Sequence, residues 1–554
     1  MPAPCPPGVI MRSFAPLLIV LAIVGCKKDE PAPLTTTGGS NPTSGELAID
    51  ILEPVAGAHL PVGSVTVEGT QTGLSNVTLN GDAIEAAAGS FSRELTLERG
   101  INNFEARGEK GTTFRMTRRA VLAGSFAEPV GAIDEALGVR LNQGGLDAMG
   151  GIVGGLLDPA GLTKSLAKAN PIYESFLFDA AISTLDFAPL EMEFAPGQGQ
   201  MALDVVLPDI EAVLAIDTLI DFDLEVTADE ARIGGIMSIG TDGQGHLTAD
   251  FTNATVSLDG FDYDTSLIPG DFSFGEGTLE GIVEGVLLDQ IEVLVPGLLE
   301  EQLAALDIAF ELDLLGTPVS IGTAFRSAFV DPDGVQLVAD LEIDVPAKGT
   351  KVAPGFLVGE SDRPTPNTDA DMSMALSDDL VNRLLFEVWS GGLVDQTLST
   401  EDGSLPLDLG AFGAETGTLA LDAKLPPVLI QKGAVTELQI GELQARLETP
   451  GNVNFSYLDL AISAKVPVDL EVVDGNLTVA LGTPDLQFVV RDTDWDFDHS
   501  AITQLLEDEL PIEALVLSLG TISFELPELA GLSLENAAID RDPSGVFTNI
   551  AADL

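Results

Sequence analysis

Cysteine is nearly missing from this chain of 554 residues: there are two, Cys5 and Cys26, and both precede residue 46. The region that can fold therefore has no disulfide staple, no thiol nucleophile and no thiolate metal ligand. Histidine occurs three times, as His59, His246 and His499, far apart and in dissimilar segments. Basic residues are scarce: 25 Lys and Arg stand against 87 Asp and Glu, a net charge of −62. Phosphate binding needs basic patches, so nucleic acid is set aside as a partner. The HExxH, GxSxG and Gly-rich phosphate-loop motifs do not occur, and the chain is expected to be neither an enzyme nor cofactor-dependent. Aspartates alternate in DTDWDFDHS (Asp492, Asp494, Asp496, Asp498) and recur in NTDAD (Asp369, Asp371). Neither stretch has the EF-hand loop pattern, so no metal site is assigned. What the chain does have is apolar residues, 45% of the total with a mean hydropathy of +0.28. That supplies several cores, and the acidic excess keeps such a chain soluble.

The N-terminus reads as an export segment. In MRSFAPLLIVLAIVGC, residues 11–26, Arg12 supplies a positive start and Leu17 to Val24 an apolar run too short to span a bilayer. Its end, Ile23-Val24-Gly25-Cys26, resembles the bacterial lipobox, which implies lipidation at Cys26. Met11 is an alternative start to Met1. Lys27 stands where an aspartate favours inner-membrane retention in well-studied envelopes, so the expected location is the cell envelope at the outer membrane. Residues 27–45, rich in Pro, Thr, Gly and Ser, read as a flexible tether.

Residues 46–124 carry short alternating runs between turn signals: LAIDILEP, SVTVEGT, VTLNG, SFSRELTLERG, NNFEARGEKG and TFRMTRRAVL. They predict a small all-β sandwich and resemble bacterial immunoglobulin-like domains. A spacer or docking role is expected of it.

The longest part of the chain opens with GVRLNQGGLDAMGGIVGGLLD, residues 138–158, in which Val139 and Leu141 lead into an amphipathic helix starting near Asn142. A second copy of the design, MSMALSDDLVNRLLFEVWSGGLVD, fills 372–395, with Ser377 as N-cap and a helix over 378–390. Strand, capped helix and Gly-Gly-Leu thus occur twice. Long period-two runs follow the first copy. In AVLAIDTLIDFDLEV, Leu214, Ile216, Ile220, Phe222, Leu224 and Val226 share one face and Asp217, Asp221, Asp223 and Glu225 the other, as in one strand with a wet and a dry side. Two further runs cover 306–314 and 335–345. Residues 279–306 have helical spacing at Ile282, Val286, Ile291 and Leu294, and Pro296 is expected to kink or split that helix. A shorter helix is expected at 499–510. FRSAFVDPDGVQLVADLEI and LENAAIDRDPSGVFTNIAADL close the two halves alike.

This paired plan resembles the bactericidal/permeability-increasing and lipopolysaccharide-binding protein family, the tubular lipid-binding (TULIP) fold. The resemblance is carried by VRLNQGGLDAMGGIVGGLLD and ALSDDLVNRLLFEVWSGGLVD and spans about 130–554. It implies an α+β chain with two tandem halves, 130–345 and 372–554, joined by a linker at 346–371. Each half wraps a long twisted antiparallel sheet on a helix and encloses a pocket for lipid acyl chains. It also implies that Leu146, Met149, Val153, Leu156 and Leu157, and Leu380, Leu384, Leu385, Val388 and Leu393, line those pockets. The implied partner is a phospholipid or other acyl-chain lipid at a bacterial membrane. Two departures limit the transfer. The disulfide of the animal members' first half has no counterpart here, and strong acidity opposes recognition of lipid A phosphates. The alternative is a structural or adhesion lipoprotein that uses the fold as a rod; a lipid hydrolase is a third reading.

Overall fold

The computed structural model describes residues 47–553 apart from internal segments, the longest of which are 265–275, 495–521 and 527–533. The export segment with Cys26, the tether 27–45, the helix expected at 499–510, and Asp496, Asp498 and His499 lie outside the described residues. The rest is mostly strand, in strongly curled sheets, with four α-helices among the described residues. These are α1 (Gln143–Leu156), α2 (Pro159–Ala169), α3 (Glu276–Leu303) and α4 (Asp378–Ser390).

Near the N-terminus, Ala48–Glu53, Gly63–Thr72 and Ser90–Leu97 form one sheet. His59–Leu60, Thr113–Ala123, Gly100–Lys110, Ser75–Leu79 and Asp82–Ala83 form another. Alternate side chains of both sheets, among them Ile51, Val67, Phe91, Leu79, Phe104 and Val121, meet in one buried cluster. Period-two apolar runs have this outcome when each sheet keeps one face wet.

A central sheet of seven strands takes its members from both halves. Its order is Ala309–Leu314, Thr317–Asp331, Gly334–Asp344, Ala132–Asn142, Met372–Ser377, Phe547–Ala552, Ala538–Arg541. The two strands that precede α1 and α4 are antiparallel neighbours, with Leu137 opposite Leu376, Val139 opposite Met374 and Leu141 opposite Met372. Each is flanked on its other side by the closing hairpin of its own half. The segments around 132–142 and 372–377 are therefore joined through one ladder. Leu137, Val139, Leu141, Met372 and Met374 are all buried there, and buried backbone groups must find partners.

The linker is part of this packing. Pro364 and Pro366 lie against Gly138, where a Cβ would come within 2.8 Å of the Pro364 ring. Arg140, 3% exposed on the same strand, makes a bidentate pair with Asp331 at 2.9 and 2.8 Å. Its Nε donates to Asn142 Oδ1, and the Asn142 amide donates to the carbonyls of Thr368 and Ala370. Hydrogen bonds from Arg140 hold the Asp331 carboxyl below its ordinary range.

In the first half, Tyr173–Glu174, Asp179–Asp186, Met201–Asp217, Phe222–Thr241 and Leu247–Asp259 form a second curled sheet, with Glu191–Pro196 and Asp262–Asp264 alongside. The stretch expected as one strand through 212–226 is a hairpin. Leu214 pairs with Leu224 and Ile216 with Phe222, so the alternation continues across the turn and hides it. Ile220 and Asp221 lie outside the described residues. Helix α3 runs through Pro296 without splitting, because Pro296 is half exposed and water can replace a missing donor there. Its buried row is Leu279, Val283, Leu287, Ile291, Val295, Leu299 and Leu303, a spacing of four throughout. Each step of four advances about 40° beyond a full turn, so the row winds round the helix as the twisted sheet does. Glu300 anchors it by accepting the Ala249 N–H at 3.0 Å.

The second-half sheet contains Thr397–Ser399, Thr418–Ala423, Val435–Glu448, Tyr457–Val473, Asn476–Leu481 and Ile522–Glu525, with Val428–Lys432 and Asp485–Thr493 alongside. The N-terminal sheets dock on its outer face. Ala120, Leu122, Leu357, Leu425, Val428 and Ile430 form an apolar patch there. Around it, Ile101 N–H donates to Gln439 Oε1 at 2.8 Å and Ala120 N–H to Glu442 Oε2 at 2.7 Å. Arg491 also pairs with the buried Glu442, and Lys432 with Glu98.

Candidate functional site in the apolar interior

One hydrophobic cluster runs through α1, α2, α3, the first-half sheet, the central sheet, α4 and the second-half sheet. Of the first set of expected pocket residues, Leu146, Met149 and Val153 are fully buried in it and Leu157 is 9% exposed. Leu156 points outward and is half exposed, a correction to its assignment as lining. Helix α1 holds its face close to the sheet through glycine: a Cβ on Gly150 would lie 2.4 Å from the Met192 carbonyl oxygen, and one on Gly154 3.0 Å from that of Leu190. The expected cap of α1 is not made. Asn142 precedes the helix but makes no side-chain cap bond, because its amide is committed to the linker carbonyls.

Helix α2 was not legible as a helix, although Pro159 at its first position and Leu162 with Leu166 four apart are the signals for one. It is fastened to the strand Asp179–Asp186 by Thr163, which bonds both the carbonyl and the N–H of Leu185 at 3.1 Å. Asn170 does the same with Ile182 at 2.9 Å.

In the second half, Leu380 and Leu384 are buried and Leu385 is half-buried against the cluster, while Val388 and Leu393 are half-buried without belonging to it. The face of α4 is completed by Phe386 and Trp389, which the leucine spacing does not single out, and by buried polar groups. Asn382 donates to the Leu429 carbonyl at 3.1 Å and accepts the Leu429 N–H at 2.7 Å. Trp389 Nε1 donates to the Ala423 carbonyl at 2.8 Å, and Arg383 pairs with Glu387. The expected cap is made: Ser377 Oγ accepts the Asp379 N–H at 3.1 Å. Beside it, burial pushes the Asp378 carboxyl up against the pull of its bidentate partner Arg541. Burial likewise pushes Asp379 up to about 6, opposed by the Gly359 N–H that donates to it and by Arg99.

An open cleft of about 730 Å3 lies at one end of the first-half sheet, where the C-terminus of α2 meets the Met201–Asp217 and Phe222–Thr241 hairpin. Asn170, Pro171, Asp179, Ala180, Ala181, Ala215, Ile216, Asp217, Phe222 and Asp223 line it. Ala180 and Ile216 belong to the hydrophobic cluster, and half-buried Phe222 packs against it.

In the acid-rich stretches, the described residues Asp492, Asp494 and Asp371 bond to neighbouring parts of the chain. Asp494 accepts the N–H and O–H of Ser456, and Asp492 accepts the Tyr457 hydroxyl at 3.1 Å. Burial, with Asp492 beside it, pushes Tyr457 up to about 12. Asp371 offers its backbone carbonyl to the Asn142 N–H at 2.9 Å. Among the described residues no three His, Cys, Asp or Glu side chains converge as metal ligands.

No family model matches the chain, and no curated protein matches it. Among solved structures, a lipopolysaccharide binding protein is similar at 12% identity and a TM-score of 0.43, over 76% of this chain and 99% of that one. P47 of Clostridium botulinum E1 is similar at 9% identity and a TM-score of 0.26, over 76% and 99% of the two chains. Latherin is similar at 13% identity and a TM-score of 0.17, over 30% of this chain and 85% of its own.

Proposed function

We propose that this chain is a membrane-anchored bacterial lipoprotein that holds lipid acyl chains in its apolar interior and transfers them. The observation that carries the reading is the continuity of one hydrophobic cluster from α4 through the central sheet and α1–α3 to the open cleft at Ile216 and Phe222. Acyl chains need no polar constellation, since each methylene withdrawn from water contributes about 0.8 kcal/mol. In this reading Cys26 carries the anchor at the outer membrane and 27–45 is the tether. An immunoglobulin-like module, 46–124, sets the second half against the anchor, and TULIP-like halves hold the lipid without altering it chemically. The resemblance of 138–158 and 372–395 to the family's helix openings supports the same view.

One observation favours the alternative, a structural or adhesion lipoprotein: Leu146, Met149 and Val153 have no exposed surface, as in a solid rod. Native mass spectrometry of protein made without residues 1–26 separates the two. Co-purified phospholipid is the expected result. Protein that is reproducibly empty, and stays so after incubation with phospholipid vesicles, sinks the carrier reading and leaves the rod.

A further inference from the structure

We infer that the Lys110 end of one N-terminal hairpin is a contact site for anionic phospholipid head groups, and that it stands the N-terminal sheets end-on upon the bilayer that holds Cys26. This rests on the anchoring proposed above and adds the surface through which the anchored chain meets its membrane. The hairpin is made of Gly100–Lys110 and Thr113–Ala123, with Gly100 opposite Ala123 at its root and Lys110 opposite Thr113 at its tip.

The two ends have different neighbours. At the root, the Ile101 and Ala120 N–H groups donate to Gln439 and Glu442 of the second half, and Ala120 and Leu122 lie in the apolar docking patch. The strand from Ile101 to Lys110 spans roughly 30 Å, so the tip stands that far from the docked root. At the tip, the chain enters the N-terminal sheets. Ala48 lies opposite Thr72, and a Cβ on Gly73 would meet Leu47 at 3.0 Å. Leu74 lies against Gly108, and Ser75 Oγ donates to the Glu109 carbonyl at 2.8 Å. Leu47, the first described residue, is therefore at the same end as Lys110. On the anchoring reading, residues 27–46 join Cys26 to that end, and a Pro-, Gly- and Ser-rich stretch of this length spans roughly 25 Å. The membrane is thus within reach of the tip, on the side away from the second half.

The tip has the charge such a contact needs. Basic side chains number 25 against 87 acidic ones in the whole chain, yet residues 107–116 hold Arg107, Lys110 and Arg115 against Glu109. Glu85 lies near the same end, after Ile84, whose N–H bonds to the Val77 carbonyl; with it the basic groups still outnumber the acidic. Arg107 and Lys110 are exposed. The Arg107 guanidinium lies over the Phe114 ring at 4.5 Å, and Arg115 donates to the Phe114 carbonyl at 3.2 Å. The ladder puts Arg107 on one face of the hairpin and Lys110 and Arg115 on the other, so the positive charge belongs to the end and not to one side. An anionic bilayer attracts such an end by about fivefold in affinity per basic side chain, while a net charge of −62 drives the rest of the chain from the same surface.

Protein beginning at Cys26 has that cysteine as its one thiol. Coupled there to a maleimide lipid, it is held on vesicles of phosphatidylcholine with or without about a third phosphatidylglycerol. Lysine acetylation, read by mass spectrometry, compares Lys110 with Lys164, which is exposed on α2. Phosphatidylglycerol should slow Lys110 about fivefold relative to Lys164, and about 0.5 M salt should remove the difference. R107Q/R115Q should lose most of it. R232Q/R326Q, which removes two exposed arginines of the first half, should keep it. Equal acetylation of Lys110 on both vesicles, slowing of Lys164 by as much as Lys110, or an effect that survives in R107Q/R115Q overturns the contact site. Because the coupling is chemical, these outcomes do not depend on lipidation in cells. The anchoring fails separately, if protein exported by a bacterial host carries no diacylglyceryl group on Cys26.

Discussion

Helices α1 and α4 follow adjacent strands of the same sheet and solve the same packing problem in opposite ways. Helix α1 starts without a side-chain cap, carries no charge in its first turn, and meets the sheet through Leu146, Met149, Val153 and glycines. Helix α4 is capped by Ser377, begins with two aspartates, and buries Asn382 and Arg383 with its leucines. On the function proposed above, the difference bears on exchange with lipid. Dispersion contacts are non-directional, so hydrocarbon from a ligand can replace hydrocarbon from a side chain on the face of α1. The hydrogen bonds of Asn382 to Leu429 are directional, and no acyl chain reproduces them. On that proposal the first half is the one suited to exchange, while the second is held in register by polar bonds and seats the N-terminal sheets.

The largest test of that contrast is Met149→Ala. It removes a fully buried side chain from α1 and should cost about 3–4 kcal/mol, read from the midpoint of urea unfolding. The space it leaves is apolar, so uptake of a C12 or C16 fatty acid should rise. Loss of stability with unchanged uptake would mean that the face of α1 is core and nothing more. The counterpart, Asn382→Ala, leaves both backbone groups of Leu429 without a partner and should cost about 2–3 kcal/mol. There, uptake should not change. If it rises as much as in Met149→Ala, the two halves do not differ in the way proposed.

A smaller effect should appear as a pH dependence. Burial raises Asp379 from 3.8 to about 6, so the folded protein holds its proton where the unfolded chain has lost it. Stability from this group is complete below about pH 4, falls as pH rises through about 4 to 6, and is flat above that. The total is of order 1–3 kcal/mol. The groups that face Asp379 are Arg99, Asp378 and the Gly359 N–H, and all remain in Asp379→Asn. The difference in unfolding free energy between the parent and that variant, followed from pH 4 to 7, should trace the fall. A parent that gains stability relative to the variant as pH rises contradicts it. No aspartate is described among the buried side chains of α1, so the first half has no matching term on its helix.

How much of this was legible depends on which force specifies each element. The paired plan of strand and helix was readable because burial of a whole helical face leaves a period in the sequence, as at Leu146, Met149 and Val153. So was the Ser377 cap, whose geometry is local. The hairpin inside 212–226 was hidden for a physical reason: its connection, 218–221, has neither glycine nor proline, and its register preserves the alternation of the flanking residues. The joining of the segments around 132–142 and 372–377 was hidden as well, because Leu137 and Leu376 read as strand residues whatever lies beside them. Asn142 stands at the cap position of α1, yet the linker 226 residues away claims its amide, and nothing near it in sequence records that competition. Nor could spacing reveal the cleft, since Asp179 and Asp217 become neighbours only through the ladder.

The smallest effect is also the one that bears most directly on how α1 works. Helix α1 has three glycine pairs, and in the last two the members differ. Gly150 faces Met192 and Gly154 faces Leu190, where a Cβ is crowded, while Gly151 and Gly155 are exposed and a Cβ there meets nothing within 4 Å. Packing explains the first of each pair only. In an exposed helix position glycine costs about 0.5–1 kcal/mol relative to alanine, so Gly151→Ala and Gly155→Ala should each stabilise the protein by about that amount. If the second glycines keep α1 loose enough for a chain to pass beneath it, the stabilised double variant should take up and release fatty acid more slowly at unchanged final occupancy. Faster or equal exchange with the expected gain in stability would show that α1 does not move during loading.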